Sequence, residues 1–190
     1  MLKPILFLDR DGTILVEPTD DFQIKSLDRF HFMPFVIDSL LKISKQNIYH
    51  LVLVTNQDGL GTDEFPLEYF VPYQDLMMDI LSSQGIQFLN VHIDRSKKEE
   101  NSPTRKPGLG MLQEYISKPE LYDLKNSIVI GDRRTDIKLA TNIGCSSILI
   151  ENELYSLYNS TITETEASTI LLRTSSWKTI EEFLRNLNFK

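Results

Sequence analysis

The 190-residue chain predicts an α/β domain, a three-layer Rossmann-like parallel sheet with helices on both faces and no separate cap domain. Two patterns predict it. Short apolar runs alternate with longer stretches of helical period, as in strands covered on both faces by crossover helices. Polar, mostly acidic residues then follow the first, second and fourth runs, where a parallel sheet opens its carboxyl-end crevice. Apolar residues make up 41% of the chain, enough for one sizeable core.

The first strand is expected at residues 5–8. Residues 12–34, rich in Asp, Pro and Thr, read as a long loop or small flap. After Pro34, the spacing of Phe35, Leu40, Leu41 and Ile43 suits one face of a helix. Further strands are expected at 51–54, 88–93, 127–130 and 147–150, all buried on both faces. Helices are expected around 67–84, 108–117 and 135–143, with Gly85 and Gly144 at helix ends. Residues 94–107 are charged and read as a solvated excursion. Beyond Glu151 the pattern weakens, although 170–172 suits an edge strand. Trp177, Ile180, Phe183, Leu184 and Leu187 space out as a terminal helix. With no repeat or linker, residues 1–190 read as one domain.

Composition narrows the function. With 27 acidic against 20 basic side chains, the formal charge of -7 disfavours a general nucleic-acid binder. The single cysteine, Cys145, can close no disulfide within the chain and build no thiolate metal cage, which fits a reducing compartment. No apolar run reaches membrane-spanning length, and none at the start suits an export signal, so the expected location is the cytoplasm.

The candidate site comes from position. Asp9 and Asp11 follow the first strand, Thr55 and Asn56 follow the second, and Asp132 follows the fourth. Any one of them alone suits a turn or a helix cap. Several acids crowded into one crevice repel unless a cation neutralises them. Mg²⁺ fits oxygen ligands drawn from Asp9, Asp11 and Asp132, together with a substrate phosphate. Thr55, Asn56 and Lys106 can supply the donors and the fixed positive charge that a reacting phosphoryl group needs. Asp9 and Asp11, two apart in an extended segment, would share one side while Arg10 points away. One carboxylate could then attack phosphorus while the other moves a proton to the leaving alkoxide and later takes one from water.

Asp9-Arg10-Asp11-Gly12-Thr13, then Thr55, Lys106 and Gly131-Asp132 with Asp136, resemble in order and spacing the four motifs of the haloacid dehalogenase-like phosphatases. A receiver domain also combines acids, a Thr and a Lys, but would carry its phosphoacceptor after the third strand. Glu17-Pro18, Asp21-Phe22-Gln23, the segment from Thr55 to Thr62, Phe65-Pro66, Leu76-Met77-Met78 and Ser83-Gln84-Gly85 look like the histidinol-phosphate phosphatase branch. That resemblance implies Mg²⁺-dependent hydrolysis of L-histidinol phosphate in histidine biosynthesis. It makes Asp9 the nucleophile, Asp11 the acid/base, Asp132 a metal ligand, Thr55, Asn56 and Lys106 the phosphate binders, and Asp136 a supporting acid.

Arg105 stands beside Lys106 as a further phosphate or substrate residue, and Glu17 and Gln23 are candidates to contact the imidazole or amine of the substrate. Members of this branch typically carry a Cys and His zinc loop. Here Asp94, Ser96, Ser102 and Thr104 occupy the ligand positions, so no zinc is expected. His92 reads as a sheet or rim histidine. Because the chain ends near residue 190, no dehydratase domain is expected on it, and an imidazoleglycerol-phosphate dehydratase would be a separate partner. The alternatives are a heptose bisphosphate-type sugar-phosphate phosphatase, a polynucleotide 3′-phosphatase, which the acidic balance disfavours, and a silent binding protein on the same fold.

Overall fold

The computed structural model describes residues 2–187. In chain order its strands and α-helices are β1 (Ile5–Leu8), α1 (Val36–Gln46), β2 (His50–Asn56), α2 (Leu67–Ser83), β3 (Phe88–Asp94), α3 (Gln113–Ile116), β4 (Ile128–Gly131), α4 (Arg134–Ile143), β5 (Ser146–Ile150), α5 (Ser156–Asn159), α6 (Glu164–Ala167), β6 (Ile170–Thr174) and α7 (Trp177–Asn186). The strands form one sheet in the order β3-β2-β1-β4-β5-β6, and every pairing is parallel. Leu6 of β1 sits opposite Leu51 of β2 on one side and Ile128 of β4 on the other. Strand order therefore reverses between β1 and β4, the place where an open α/β sheet parts its crossovers and leaves a crevice.

Successive residues of a strand point to opposite faces, so each apolar run feeds two cores. Leu6, Leu8, Leu53 and Ile130 pack with Leu40 and Ile43 of α1, Met77 and Leu81 of α2, and Ile180 and Leu184 of α7. Ile5, Phe7, Val52, Val54 and Val129 pack on the other face with Tyr115 of α3 and Leu139 of α4. Each fully buried aliphatic side chain contributes about 1.5–3 kcal/mol of transfer free energy, so these runs hold the sheet between its helical layers. No helix among the described residues is long and apolar enough to cross a membrane.

Three expectations change. The strand β3 is not buried on both faces: it is an edge, and Leu89 and Asn90 are exposed. Phe35 does not join the apolar face of α1. It precedes the helix at φ 66°, with its ring exposed beneath the Lys178 ammonium. The helix expected over 108–117 is reduced to a 3-10 turn at Gly110–Leu112 followed by α3. Gly108 and Gly110 there approach the Pro103 carbonyl so closely that a Cβ would lie 2.3 and 2.7 Å from it, so this stretch follows the preceding loop rather than a helix axis.

The flap over 12–34 returns on itself. Val16 N–H donates to the His31 carbonyl and Met33 N–H to the Ile14 carbonyl, while Ile14, Leu15 and Ile24 anchor its inner side in the core. On its outer side Arg29 holds Asp20 and Asp21. The weakly patterned stretch after β5 folds into a 3-10 turn, α5 and α6, and it lies across the carboxyl end of β4: Asn159 Nδ2 donates to the Asp132 carbonyl at 3.0 Å.

Candidate active site

At the switch point, the chain leaving β1 lies against the chain leaving β4, and Asp9 N–H donates to the Ile130 carbonyl at 3.0 Å. This brings Asp9, Asp132 and Asp136 together, with one oxygen from each within 4.8 Å of the others. Gly12 permits the approach in two ways. Its φ is +71°, and a Cβ there would meet Asp132 Oδ2 at 2.0 Å. Gly131 plays the same part for Asp136, whose Cγ would lie 2.3 Å from an added Cβ.

Lys106 is buried among these acids. Its Nζ lies 2.8 Å from Asp9 Oδ1 and 2.7 Å from Asp136 Oδ1. Burial disfavours the ammonium, but the Asp136 and Asp9 carboxylates outweigh it and hold the lysine pKa above its ordinary value. Asp136 also caps α4, accepting from Arg133 N–H at 3.1 Å, so it is both a helix-start carboxylate and the partner of the lysine. Asp9 Oδ1 is taken up by Lys106 and by Arg10 N–H, while Oδ2 accepts no hydrogen bond among the described residues.

Asp132 is the anomaly of the group. It is wholly buried, and neither carboxylate oxygen has a hydrogen-bond partner among the described residues. Burial, with Asp9 and Asp136 close by, pushes its carboxyl well above the usual range. Three carboxylates converge on one ammonium, with the Arg133 guanidinium no nearer than 4.0 Å to Asp132 Oδ1 and shared with Glu17, so the group is short of positive charge. An oxygen-only donor set in which the Asp132 carboxylate has no hydrogen-bond partner among the described residues fits a hard cation.

The carboxylates that converge differ from the three expected as ligands. The Asp11 carboxylate is outside the group that converges on Asp132, and Asp136 is inside it. Asp11 is instead held by Arg10 Nη1 at 2.7 Å and Gln57 Nε2 at 2.7 Å. Arg10 does not point away: it is 1% exposed, and its guanidinium lies over the Phe70 ring. The Gln57 amide also donates to Thr55 Oγ1 at 2.9 Å, so one side chain links the second strand's hydroxyl to the acid after the first.

A cavity of about 740 Å³ lies above the acids, and Asp9, Asp11, Glu17, Gln23, Thr55, Asn56, Arg105 and Lys106 all line it. Several of these side chains are already engaged. The Asn56 amide pairs reciprocally with the Lys106 backbone, at 2.9 and 3.1 Å, and so fixes the lysine. Arg105 forks onto the Asp58 carboxylate. Glu17 accepts from Arg133 and from the Tyr155 hydroxyl, and the Arg133 guanidinium stacks 4.4 Å from the Tyr155 ring centroid. Burial raises the Glu17 pKa in spite of these donors.

Arg133, Gln57 and Tyr155 are site residues that sequence reasoning missed. Gln57 lies inside the quoted segment from Thr55 to Thr62, without a role assigned to it, and Arg133 directly follows Asp132. Tyr155 carries no such signal, because it comes from the weakly patterned stretch after β5.

Asp94, Ser96, Ser102 and Thr104 also meet. Asp94 Oδ1 accepts from Ser96 N–H at 3.0 Å and from the Ser96 hydroxyl, and Oδ2 accepts from the Thr104 hydroxyl. Ser102 Oγ lies 2.7 Å from Thr104 Oγ1. His92 is a rim residue on β3, with Nε2 3.0 Å from the Tyr115 hydroxyl.

Comparison with known proteins gives the family and the fold. Residues 4–151 match the family described as Polynucleotide kinase 3 phosphatase. The Histidine biosynthesis bifunctional protein HisB of Spirosoma linguale is 45% identical over 189 residues, covering 97% of this chain and 49% of that protein. Its counterpart from Bacteroides fragilis is 46% identical over 184 residues, covering 97% of this chain and 48% of that one. The chain thus spans about half the length of the curated relatives it matches. Among solved structures, D,D-heptose 1,7-bisphosphate phosphatases share the fold. One from B. bronchiseptica, complexed with magnesium and phosphate, superposes at a TM-score of 0.78 with 23% identity over 96% of this chain and 98% of that one. One from Burkholderia thailandensis does so at 0.60 with 18% identity over 97% of this chain and 100% of that one.

Proposed function

The chain belongs to the Polynucleotide kinase 3 phosphatase family, within the haloacid dehalogenase-like phosphatases, and from that premise we propose that it is an Mg²⁺-dependent phosphomonoesterase that hydrolyses L-histidinol phosphate to L-histidinol and phosphate. Residues 1–190 form one phosphatase unit in this reading. The relatives named for histidine biosynthesis support the substrate, and so does one feature of the cavity wall: its arginines are already neutralised. Arg105 pairs with Asp58, Arg133 with Glu17 and Arg134 with Glu166. Besides Lys106, Lys98 is the one lining cation without an ion-pair partner among the described residues, so the wall offers a second phosphate or a polynucleotide backbone little free positive charge and suits one phosphate on a small cationic body better.

In this reading Asp9 is the nucleophile. Its unoccupied Oδ2 attacks phosphorus, the bond to the ester oxygen breaks, and an aspartyl phosphate forms. Asp11, oriented by Arg10 and Gln57, gives a proton to the departing histidinol oxygen. It then takes one from the water whose oxygen displaces phosphate from Asp9. Lys106 and the Thr55 hydroxyl face the phosphoryl oxygens, and Asn56 keeps Lys106 in place. Asp9 and Asp132 would hold Mg²⁺, with Asp136 supporting through Lys106, and the bound ion would neutralise charge on the phosphoryl group. Glu17 and Gln23 face the imidazole and amine end of the substrate. The imidazoleglycerol-phosphate dehydratase that the family resemblance implies would be a separate partner in this reading.

The test is phosphate release from histidinol phosphate, D,D-heptose 1,7-bisphosphate and a 3′-phosphorylated oligonucleotide, each with Mg²⁺. The expected kcat/KM for histidinol phosphate exceeds the others by about a hundredfold or more. Asp9→Asn should lower turnover by at least about a thousandfold while keeping the circular dichroism spectrum. A preference for either other substrate would overturn the substrate assignment, and an active Asp9→Asn enzyme would overturn the nucleophile.

A further inference from the structure

We propose that Asp94 is a positioning residue for the phosphate-handling side chains, its buried carboxylate pinning the loop that carries Lys106 to the end of β3; the proposal rests on the phosphatase reading above. Asp94 closes β3 and is 4% exposed. Its carboxylate is satisfied by neutral donors from two places, Ser96 just beyond the strand and the Thr104 hydroxyl ten residues on. Ser102 adds a second hydroxyl behind Thr104. The loop is thereby drawn shut at its base by one side chain. A buried carboxylate is costly without its donors, so the closed loop depends on the Ser96 and Thr104 hydroxyls to keep Asp94 covered.

Asp94 reaches the reacting groups by two routes. Thr104 leads directly into Arg105 and Lys106, and Arg105 Nη1 donates back to the Ser96 carbonyl at 3.0 Å. The backbone carbonyl of Asp94 accepts from Gln57 N–H at 2.7 Å, and the Gln57 amide holds both Asp11 and Thr55. The same residue therefore sets the lysine through its side chain and the acid and hydroxyl through its main chain. No atom of Asp94 lines the cavity itself, so its influence is indirect.

Thr104→Val removes the hydroxyl at nearly constant shape, and Thr104→Ser restores it. Hydrolysis of p-nitrophenyl phosphate with Mg²⁺ reads the reacting groups whatever the natural substrate is. The expected result is a kcat/KM lower by about tenfold in Thr104→Val, a melting temperature about 2–12 °C below wild type, and recovery of kcat/KM to within about twofold in Thr104→Ser. Amide hydrogen exchange over residues 95–106 should quicken in Thr104→Val while α4 stays protected. Wild-type kcat/KM in Thr104→Val, a Thr104→Ser enzyme as slow as Thr104→Val, or unchanged exchange would overturn the proposal. A wild-type protein that cleaves neither p-nitrophenyl phosphate nor histidinol phosphate would instead sink the phosphatase reading, and exchange would still decide whether Thr104 closes the loop.

Discussion

Asp132→Asn separates what the fold wants from what the site wants. The carboxylate is wholly buried, accepts no hydrogen bond among the described residues, and faces Asp9 and Asp136. In chelator, a neutral amide of the same shape removes the repulsion from Asp9 and Asp136, about 1–3 kcal/mol, although the amide itself still has no hydrogen-bond partner among the described residues. At about 2–4 °C per kcal/mol for a chain of this size, the variant should melt about 2–12 °C above wild type. With Mg²⁺ at about one hundred times its dissociation constant, wild type gains about 2.7 kcal/mol, or about 5–11 °C. The variant, short of one of its converging carboxylates, should gain much less. The assay is thermal unfolding by circular dichroism, with chelator and with Mg²⁺. The two proteins should exchange rank between the conditions. A variant that melts below wild type in chelator, or that responds to Mg²⁺ as wild type does, would refute the reading of Asp132 as a strained residue awaiting a cation.

Other outcomes follow from the same geometry. Gly12→Ala places a methyl group 2.0 Å from Asp132 Oδ2 at φ +71°; overpacking and left-handed strain together should cost about 2–4 kcal/mol, read as a lower midpoint in urea, with loss of phosphatase activity. Tyr155→Phe removes the hydroxyl that Glu17 accepts from while keeping the ring under Arg133; KM for histidinol phosphate should rise about tenfold with kcat within about twofold. Burial lowers the pKa of both His92 and His50 below that of the unfolded chain. A histidine kept neutral by the fold contributes stability that is present above the unfolded pKa of about 6.5 and is lost as pH falls below it. Urea unfolding from pH 7.5 to 5 should show a shallower acid loss in His92→Gln than in wild type, and parallel curves would contradict this.

Much of the architecture was legible along the chain because a strand covered on both faces is apolar at nearly every position, which makes β1, β4 and the end of β5 stand out as apolar runs. The edge strand β3 was misjudged for the same reason: its apolar and polar residues mix once one side lacks a neighbour. Asp9, Asp11, Thr55, Lys106 and Asp132 were legible as candidates because the sheet's carboxyl ends gather whatever follows the strands. Which of them point at one another was not. Sequence order carries no side-chain direction after a strand ends, so Asp11 turning to Gln57 and Arg10, and Asp136 joining Asp132, were settled by packing around Gly12 and Gly131. Tyr155 reaches Glu17 across 138 positions from a stretch with no regular period. Local chemistry thus determined the strands and the residue types at their ends; long-range packing alone decided the partner of each charge, because in a buried site that partner is whichever group the surrounding backbone brings within reach.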